Sequence, residues 1–247
     1  MGVIRSAISC IASIDGLPAG NHHLVRRFMS AVFIDNPAFP RYGSSWDPDT
    51  VLTYLKSLGP NNSLSLLSLS QKLTVLMRLL SGERGQTLLA FDITRMVLLT
   101  DSVTFHISVL LKTSRPNWHK SVVSFSAFTQ DVDLCIISAL RIYLRLTLPL
   151  RAGETALFII SRRPYRRASS GTLSSWTKAV LRAAGIDISA FAAGSTRQAS
   201  ASRAHESLPI DIVMKAVGWT QRSTFAKFYN KPISSVGYSE AIMRNFS

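Results

Sequence analysis

The spacing of apolar residues changes along this chain, and that change limits the folds it can adopt. From residue 73 to residue 80, apolar side chains recur at i, i+3, i+4 and i+7, which is the spacing of one buried helix face. This stripe consists of Leu73, Leu76, Met77 and Leu80. Gly82 then predicts the end of the helix, so Arg84 should lie at a corner between two helices.

Further along, apolar and polar residues alternate, which is the pattern of a half-buried strand. The alternating apolar residues are Val103, Phe105, Ile107 and Val109. The stretch SVVSFSAF, which starts at residue 121, predicts a second strand. The residues between them, LKTSRPNWHK, are expected to form the end of a hairpin.

The rest of the chain mostly predicts helices. The expected helical ranges are 3–14, 22–34, 48–59, 133–147, 172–184 and 195–206. Another helix should start after Pro209, with an apolar stripe, and a last short helix should carry Tyr229. The apolar run ALFIIS fits either a strand or a helix. The predicted fold class is mainly α with a small antiparallel β-sheet (α+β).

A turn-rich segment, DNPAFPRYGSSWDPDT, separates the first predicted helices from the rest of the chain. We therefore expect a domain boundary near residue 40. Residues 1–40 would form a small helical unit with its linker, and residues 41–247 the main domain.

The charge balance indicates the kind of partner. Lys and Arg number 28 against 14 Asp and Glu, a net charge of +14, while 47% of the residues are hydrophobic. A folded chain this basic is typical of proteins that bind a polyanion, and double-stranded DNA is the expected partner. A merely soluble basic surface is the alternative. The two cysteines have no zinc-site spacing, and no apolar run reaches the ~18 residues of a membrane span, so neither a metal nor a membrane is expected.

Four separate stretches carry the residue types that attack on a phosphodiester requires. Guanidinium groups match the charge that develops on phosphate oxygens, a tyrosine can form a covalent intermediate, and a lysine can protonate the leaving sugar oxygen. The stretches are SGERGQTL with Arg84, LLKTSRP with Lys112, AAGSTRQASASRA with Arg197, and GWTQRSTFAKFY with Trp219 and Tyr229.

Taken together, these stretches resemble the tyrosine recombinase (phage integrase) superfamily, and most closely the recombinases of DIRS-type retrotransposons. The stretches HHLVRRFMSAVF, PRYGSSWDPDTVLTYLKSL and KLTVLMRLLSGERGQTL are also similar to that group. The resemblance extends over nearly the whole chain. It implies a tyrosine recombinase catalytic domain in residues 41–247, and in residues 1–40 the C-terminal remnant of a helical core-binding domain and its linker.

The resemblance also implies a role for each site residue. Arg84 and Arg197 would hold the scissile phosphate, Lys112 would protonate the leaving 5′ oxygen, and Trp219 would pack and hydrogen-bond beside the phosphate. Tyr229 would be the nucleophile that forms a 3′-phosphotyrosine intermediate. The implied activity is DNA recombination or integration for a mobile element. It would take place on a tetramer, without metal or nucleotide cofactor, in the nucleus if the chain is eukaryotic.

Two positions depart from the family pattern. Gly194 stands three residues before Arg197, where the family usually has a histidine, and a missing donor of this kind costs about 10²–10³ in rate. Thr87 stands three residues after Arg84, where the wider family often has an acid.

Further basic residues are expected to contact the DNA backbone, with solvated loops as the alternative. They are Arg115, Lys120, Arg162, Arg163, Arg166 and Arg167. Tyr229 has an ordinary alternative as a core aromatic beside Phe225, and Arg84 as a helix cap. Arg197 could form a surface ion pair, and Lys112 could lie in a solvated turn or make a simple phosphate contact.

Other functions also remain open. A DNA-binding remnant that has lost catalysis is favoured by Gly194 and opposed by the retained arginines, lysine and tyrosine. A type IB topoisomerase uses similar chemistry, but the larger clamp regions of that class are missing from the sequence.

Overall fold

A computed structural model describes residues 2–37, 42–112, 114, 116, 121–219 and 233. The described residues fall into two compact units, one that ends at residue 37 and one that starts at Tyr42. No helix in these ranges is both long and apolar enough to span a lipid bilayer.

The first unit is a helical pair joined by a tight hairpin. Helix α1 covers Gly2–Ser9, strands β1 (Ser13–Ile14) and β2 (Leu17–Pro18) pair antiparallel, and helix α2 covers His23–Asp35. The helix predicted over 3–14 therefore ends five residues early. Asp15 and Gly16, with φ of 51° and 76°, turn the chain back, because an Asp-Gly pair is suited to the two-residue hairpin turn.

Helices make up most of the described second unit, and one of them packs against several others. They are α3 (Pro48–Ser57), α4 (Leu66–Ser81) and α5 (Gly85–Leu89), followed later by α6 (Ile136–Thr147), α7 (Ser170–Ala183), α8 (Ser195–His205) and α9 (Ile210–Val217). Helix α4 is contacted by α6, α7 and α8. Ser65 accepts a hydrogen bond from the Ser68 backbone N–H at its start, and Gly82 closes it in a left-handed conformation.

The predicted stripe of α4 is buried except at its end. Leu73, Leu76 and Met77 are fully enclosed, whereas Leu80 is 54% exposed, so its prediction as a core residue was wrong. Val75 and Leu79 are buried instead, because helices pack on more than one side of α4. A single stripe underestimates the buried surface of a central helix.

The described strands of this unit form an antiparallel sheet in the order β3 (Met96–Leu98), β4 (Ser102–His106) and β5 (Val122–Ser126). Val103 and Phe105 point into the core, as the alternation predicts, and Thr104 pairs with Ser124 across the strands. Val109 lies beyond the end of β4 and is 51% exposed, which corrects its assignment to the buried face.

The main core lies between this sheet and α4, α6 and α7. Phe91 stacks on Phe105 with ring centroids 4.2 Å apart. Helix α6 begins at Ile136 rather than at residue 133, because the Asp131 carboxylate accepts the backbone N–H groups of Asp133 and Leu134 in a turn before the helix. The run ALFIIS forms neither element and makes isolated β-bridges through Ala156 and Ile159.

Candidate active site

The predicted first arginine lies at the corner between α4 and α5, as the sequence indicates. Gly82 has φ +59°, and a Cβ atom there would be 2.5 Å from Cγ1 of Val217, so both the backbone and the packing require glycine. Arg84 precedes α5 and is half-buried. Its side chain makes no hydrogen bond that caps α5, and the α4 end is closed by Gly82 rather than by Arg84.

The predicted second arginine is held inside the molecule by backbone carbonyls. Arg197 is in the first turn of α8 and is 4% exposed. Its Nη1 donates to the Gly82 carbonyl at 2.7 Å and its Nη2 to the Val217 carbonyl at 2.7 Å. The alternative of a surface ion pair is therefore wrong. The bond to Gly82 also attaches α8 directly to the corner that carries Arg84.

Trp219 lies on the same guanidinium. The Arg197 Cζ is 4.8 Å from the centroid of the Trp219 ring, which is a favourable cation–π geometry. Trp219 also packs against Val213 and Met214 of α9. Arg197 thus connects three parts of the chain: α8, the α4–α5 corner, and the end of α9.

A hydrogen bond from the Lys112 backbone attaches this residue to the start of helix α5. Its N–H donates to Oε1 of Gln86 at 3.0 Å, and Gln86 lies two residues after Arg84. The Lys112 side chain is exposed. Gln86 is a residue that the sequence interpretation missed, because an amide two positions after an arginine has no spacing signal of its own.

A buried carboxylate lies immediately before Arg84. Glu83 is 4% exposed, and its Oε2 accepts a hydrogen bond from Oγ1 of Thr87 at 2.8 Å. The sequence indicated that the acid expected at position 87 was missing. In the fold, Thr87 instead contacts the carboxylate of Glu83 one turn earlier, so an acid is present next to the corner.

Position 194, where the tyrosine recombinase family usually has a histidine, has space for a side chain. Gly194 directly precedes α8, is exposed, and has φ −73° and ψ −15°, a conformation that any residue can adopt. A Cβ atom there would meet no atom of the part of the chain that the structure describes within 4 Å. A side chain at position 194 therefore has room.

The basic residues predicted to contact DNA lie on an exposed loop. Arg162, Arg163, Arg166 and Arg167 are all exposed. The Arg167 guanidinium donates to the Leu89 carbonyl at the end of α5, which attaches this loop near the corner. Tyr229, Arg115 and Lys120 lie outside the described residues, and so does the short helix predicted around Tyr229.

The described part of the site is a basic cluster built on one corner. Arg197 contacts Trp219 and the carbonyl of Gly82, two residues before Arg84, and the Lys112 N–H is bonded to Gln86, two residues after Arg84. Guanidinium groups fixed before a ligand arrives are suited to binding a phosphate and to stabilising charge that develops on its oxygens. The catalytic roles of these residues stay predictions.

This architecture is that of the tyrosine recombinase catalytic domain, as the predicted fold class states. The chain is similar to XerH site-specific recombinase bound to a palindromic difH substrate in a post-cleavage complex, with a TM-score of 0.58 and 16% identity over 90% of this chain and 58% of that one. It is similar to the Tn1549 transposon integrase in complex with transposon right end DNA, with a TM-score of 0.55 and 11% identity over 98% of this chain and 74% of that one.

A third similar structure is a lambda integrase dimer bound to a COC′ core site, with a TM-score of 0.50 and 14% identity over 96% of this chain and 78% of that one. The chain spans 58% of the length of the XerH chain. At these identities the similarity is one of fold. No protein-family model and no curated protein matches the sequence.

Proposed function

We propose that this protein breaks and rejoins DNA as a tyrosine recombinase. The observation that carries the proposal is the hydrogen bond from Arg197 to the carbonyl of Gly82, two residues before Arg84, on a fold similar to that of the XerH recombinase. The net charge of +14 supports DNA as the partner. The similar XerH, Tn1549 and lambda structures each contain DNA, which supports the same partner.

In the proposed reaction, Arg84 and Arg197 hold the non-bridging oxygens of the scissile phosphate. The Tyr229 hydroxyl loses its proton to solvent and attacks phosphorus, which forms a tyrosyl ester with the 3′ phosphate and breaks the bond to the 5′ oxygen. Lys112 donates a proton to that leaving oxygen. A 5′ hydroxyl of another strand then attacks the ester and releases Tyr229. Because the ester preserves the bond energy, the reaction needs no metal ion or nucleotide.

Several finer features belong to the same proposal. The sequence resemblance supports a DIRS-type mobile element as the source, recombination on a tetramer, and the nucleus of a eukaryotic host as the location. Residues 1–40 would be the remnant of a core-binding domain. The lambda dimer on its core site supports self-association on DNA.

Covalent trapping tests the proposed function. The protein is mixed with a nicked suicide duplex, either from the terminal repeats of the parent element or of mixed sequence, and SDS-resistant adducts are sought. We expect an adduct that Tyr229→Phe abolishes. A matched control is Tyr54→Phe, which removes a hydroxyl from helix α3, where no predicted site residue lies, and should leave the adduct unchanged.

A second candidate function is a DNA-binding remnant without catalysis, which is favoured by Gly194 in place of the usual histidine. For this function we expect the protein to bind a DNA duplex with an affinity that falls as the salt concentration rises, and to form no covalent adduct. Absence of both binding and adduct would contradict both functions.

A further inference from the structure

Arg78 is a buried arginine that the proposed mechanism does not use. It lies in the last turn of α4 and is 4% exposed. Its guanidinium reaches the corner that carries Arg84: a Cβ atom built on Gly85 would be 2.7 Å from Nη2 and 3.8 Å from Nη1 of Arg78. Glycine at position 85 therefore leaves the space that the guanidinium occupies.

No residue that the structure describes accepts a hydrogen bond from the Arg78 side chain or pairs with its charge. Its Nε is enclosed without a hydrogen-bond partner, as are the Nε atoms of Arg151 and Arg197, so the difference between these arginines lies in their Nη groups. Arg151 provides a contrast within the same chain. It is equally buried, at 4% exposure, but its guanidinium donates to the Thr147 hydroxyl and to the Leu157 carbonyl. Arg151 therefore has hydrogen-bond acceptors for its Nη groups that Arg78 lacks among the described residues.

The charge on Arg78 persists at neutral pH. Burial lowers the pKa of its guanidinium to about 10, which still leaves the group protonated under physiological conditions. An enclosed cation without a partner costs free energy, and a bound anion removes that cost. The position beside Gly85, directly after Arg84, places the charge next to the predicted phosphate site.

We propose that Arg78 binds a DNA backbone phosphate at the α4–α5 corner, beside the phosphate held by Arg84 and Arg197. The inference rests on the proposed function, since DNA supplies the phosphate. The guanidinium fork matches two oxygens of a phosphate, and no described carboxylate competes for it.

The test compares Arg78→Met with Arg151→Met, since each change removes one buried positive charge. For the full chain, we would measure the affinity for a fluorescein-labelled duplex of mixed sequence by anisotropy over a series of KCl concentrations, and the Tm without DNA. Arg78→Met should weaken binding and reduce the slope of log affinity against log salt by about 0.9, the value for one phosphate contact. Its Tm should equal or exceed that of the wild type, because an uncompensated charge is removed.

Arg151→Met should behave in the opposite way, with a lower Tm and an unchanged salt slope. Gly85→Ala supplies a second variant, because its Cβ displaces the Arg78 guanidinium while the charge is kept. It should weaken DNA binding as Arg78→Met does.

If Arg78→Met keeps the wild-type salt slope, the inference is overturned. If its Tm also falls as far as that of Arg151→Met, the role of Arg78 is structural. If the wild-type protein binds no duplex at all, the proposed function fails and this inference fails with it. A wild type that binds DNA and traps no adduct would leave the salt-slope comparison as the deciding result for Arg78.

Discussion

At the scale of single residues, Arg197 determines most of the geometry of the candidate site. Its two hydrogen bonds to carbonyls and its contact with Trp219 join segments that are far apart in the chain. Because both of these accepting groups belong to the backbone, the fold itself helps to position the guanidinium. Gly194, just before the same helix, contributes no side chain to the site.

A histidine at position 194 should restore the missing donor. The backbone at Gly194 is already in an ordinary conformation, and a Cβ there meets no atom of the described residues within 4 Å, so the position admits a side chain. We expect the rate of covalent adduct formation to rise by about 10²–10³. The measurement is a time course of trapping on the suicide duplex.

Gly171→His is the matched control for this prediction, because Gly171 is also an exposed glycine at a helix start and has only ordinary contacts around its Cβ position. It should leave the rate unchanged. Equal rates for Gly194→His and the wild type would show that position 194 does not limit the reaction.

At the scale of secondary structure, the end of α4 is the element that organises the corner. The left-handed Gly82 stops the helix, turns the chain toward Arg84, and presents its carbonyl to Arg197. The contact between Gly82 and Val217 also brings the end of α9 onto the same corner. One residue therefore serves as helix cap, packing surface and hydrogen-bond acceptor.

Gly82→Ala should be more destabilising than the matched change Gly59→Ala. Both glycines have positive φ, +59° and +82°, so each alanine carries a backbone penalty of about 1–2 kcal/mol. Gly59 faces open space, whereas a Cβ on Gly82 meets Val217 at 2.5 Å, which adds roughly 1–3 kcal/mol of overpacking. Urea unfolding of the two variants measures the difference. Equal losses of stability would mean that helix α9 moves away from the new side chain without a cost in free energy.

At the scale of the whole second unit, the segment that begins at Tyr42 is attached to α8 and the turn before it. Trp46 Nε1 donates to Oγ of Ser195 at 2.8 Å. The Ala192 N–H donates to the Tyr42 hydroxyl at 3.2 Å. The Gln198 side chain donates to the Ser44 carbonyl at 3.1 Å. The Trp46 and Ser195 side chains are 149 positions apart in sequence. These bonds hold α8, and with it Arg197, against the start of the unit.

A double-mutant cycle of Trp46→Phe and Ser195→Ala tests this attachment. Each single change leaves a buried polar group without its partner, so each should cost about 1–3 kcal/mol of unfolding free energy. The double variant should lose less than the sum, with a coupling of roughly 0.5–1.5 kcal/mol. Thermal and urea unfolding supply the values. Strictly additive losses would argue against a direct bond between the two side chains.

The sequence by itself determined features whose causes are local. Gly59 and Gly82 predict where α3 and α4 end, because a left-handed terminal residue acts within one turn of its own helix. The alternation around Val103 and Phe105 predicts β4, since side chains on a strand point to opposite faces. Strand β3 was missed because three residues are too few to show any period.

The tertiary structure alone decided which groups meet. Leu80 is exposed, and Arg197 is buried with two backbone carbonyls as acceptors. Thr87 stands where an acid is expected and contacts the carboxylate of Glu83. Arg78 is enclosed beside Gly85. These contacts depend on how α4 packs against the helices around it. Packing of this kind joins residues more than a hundred positions apart, and the spacing of residues within one segment contains no information about it.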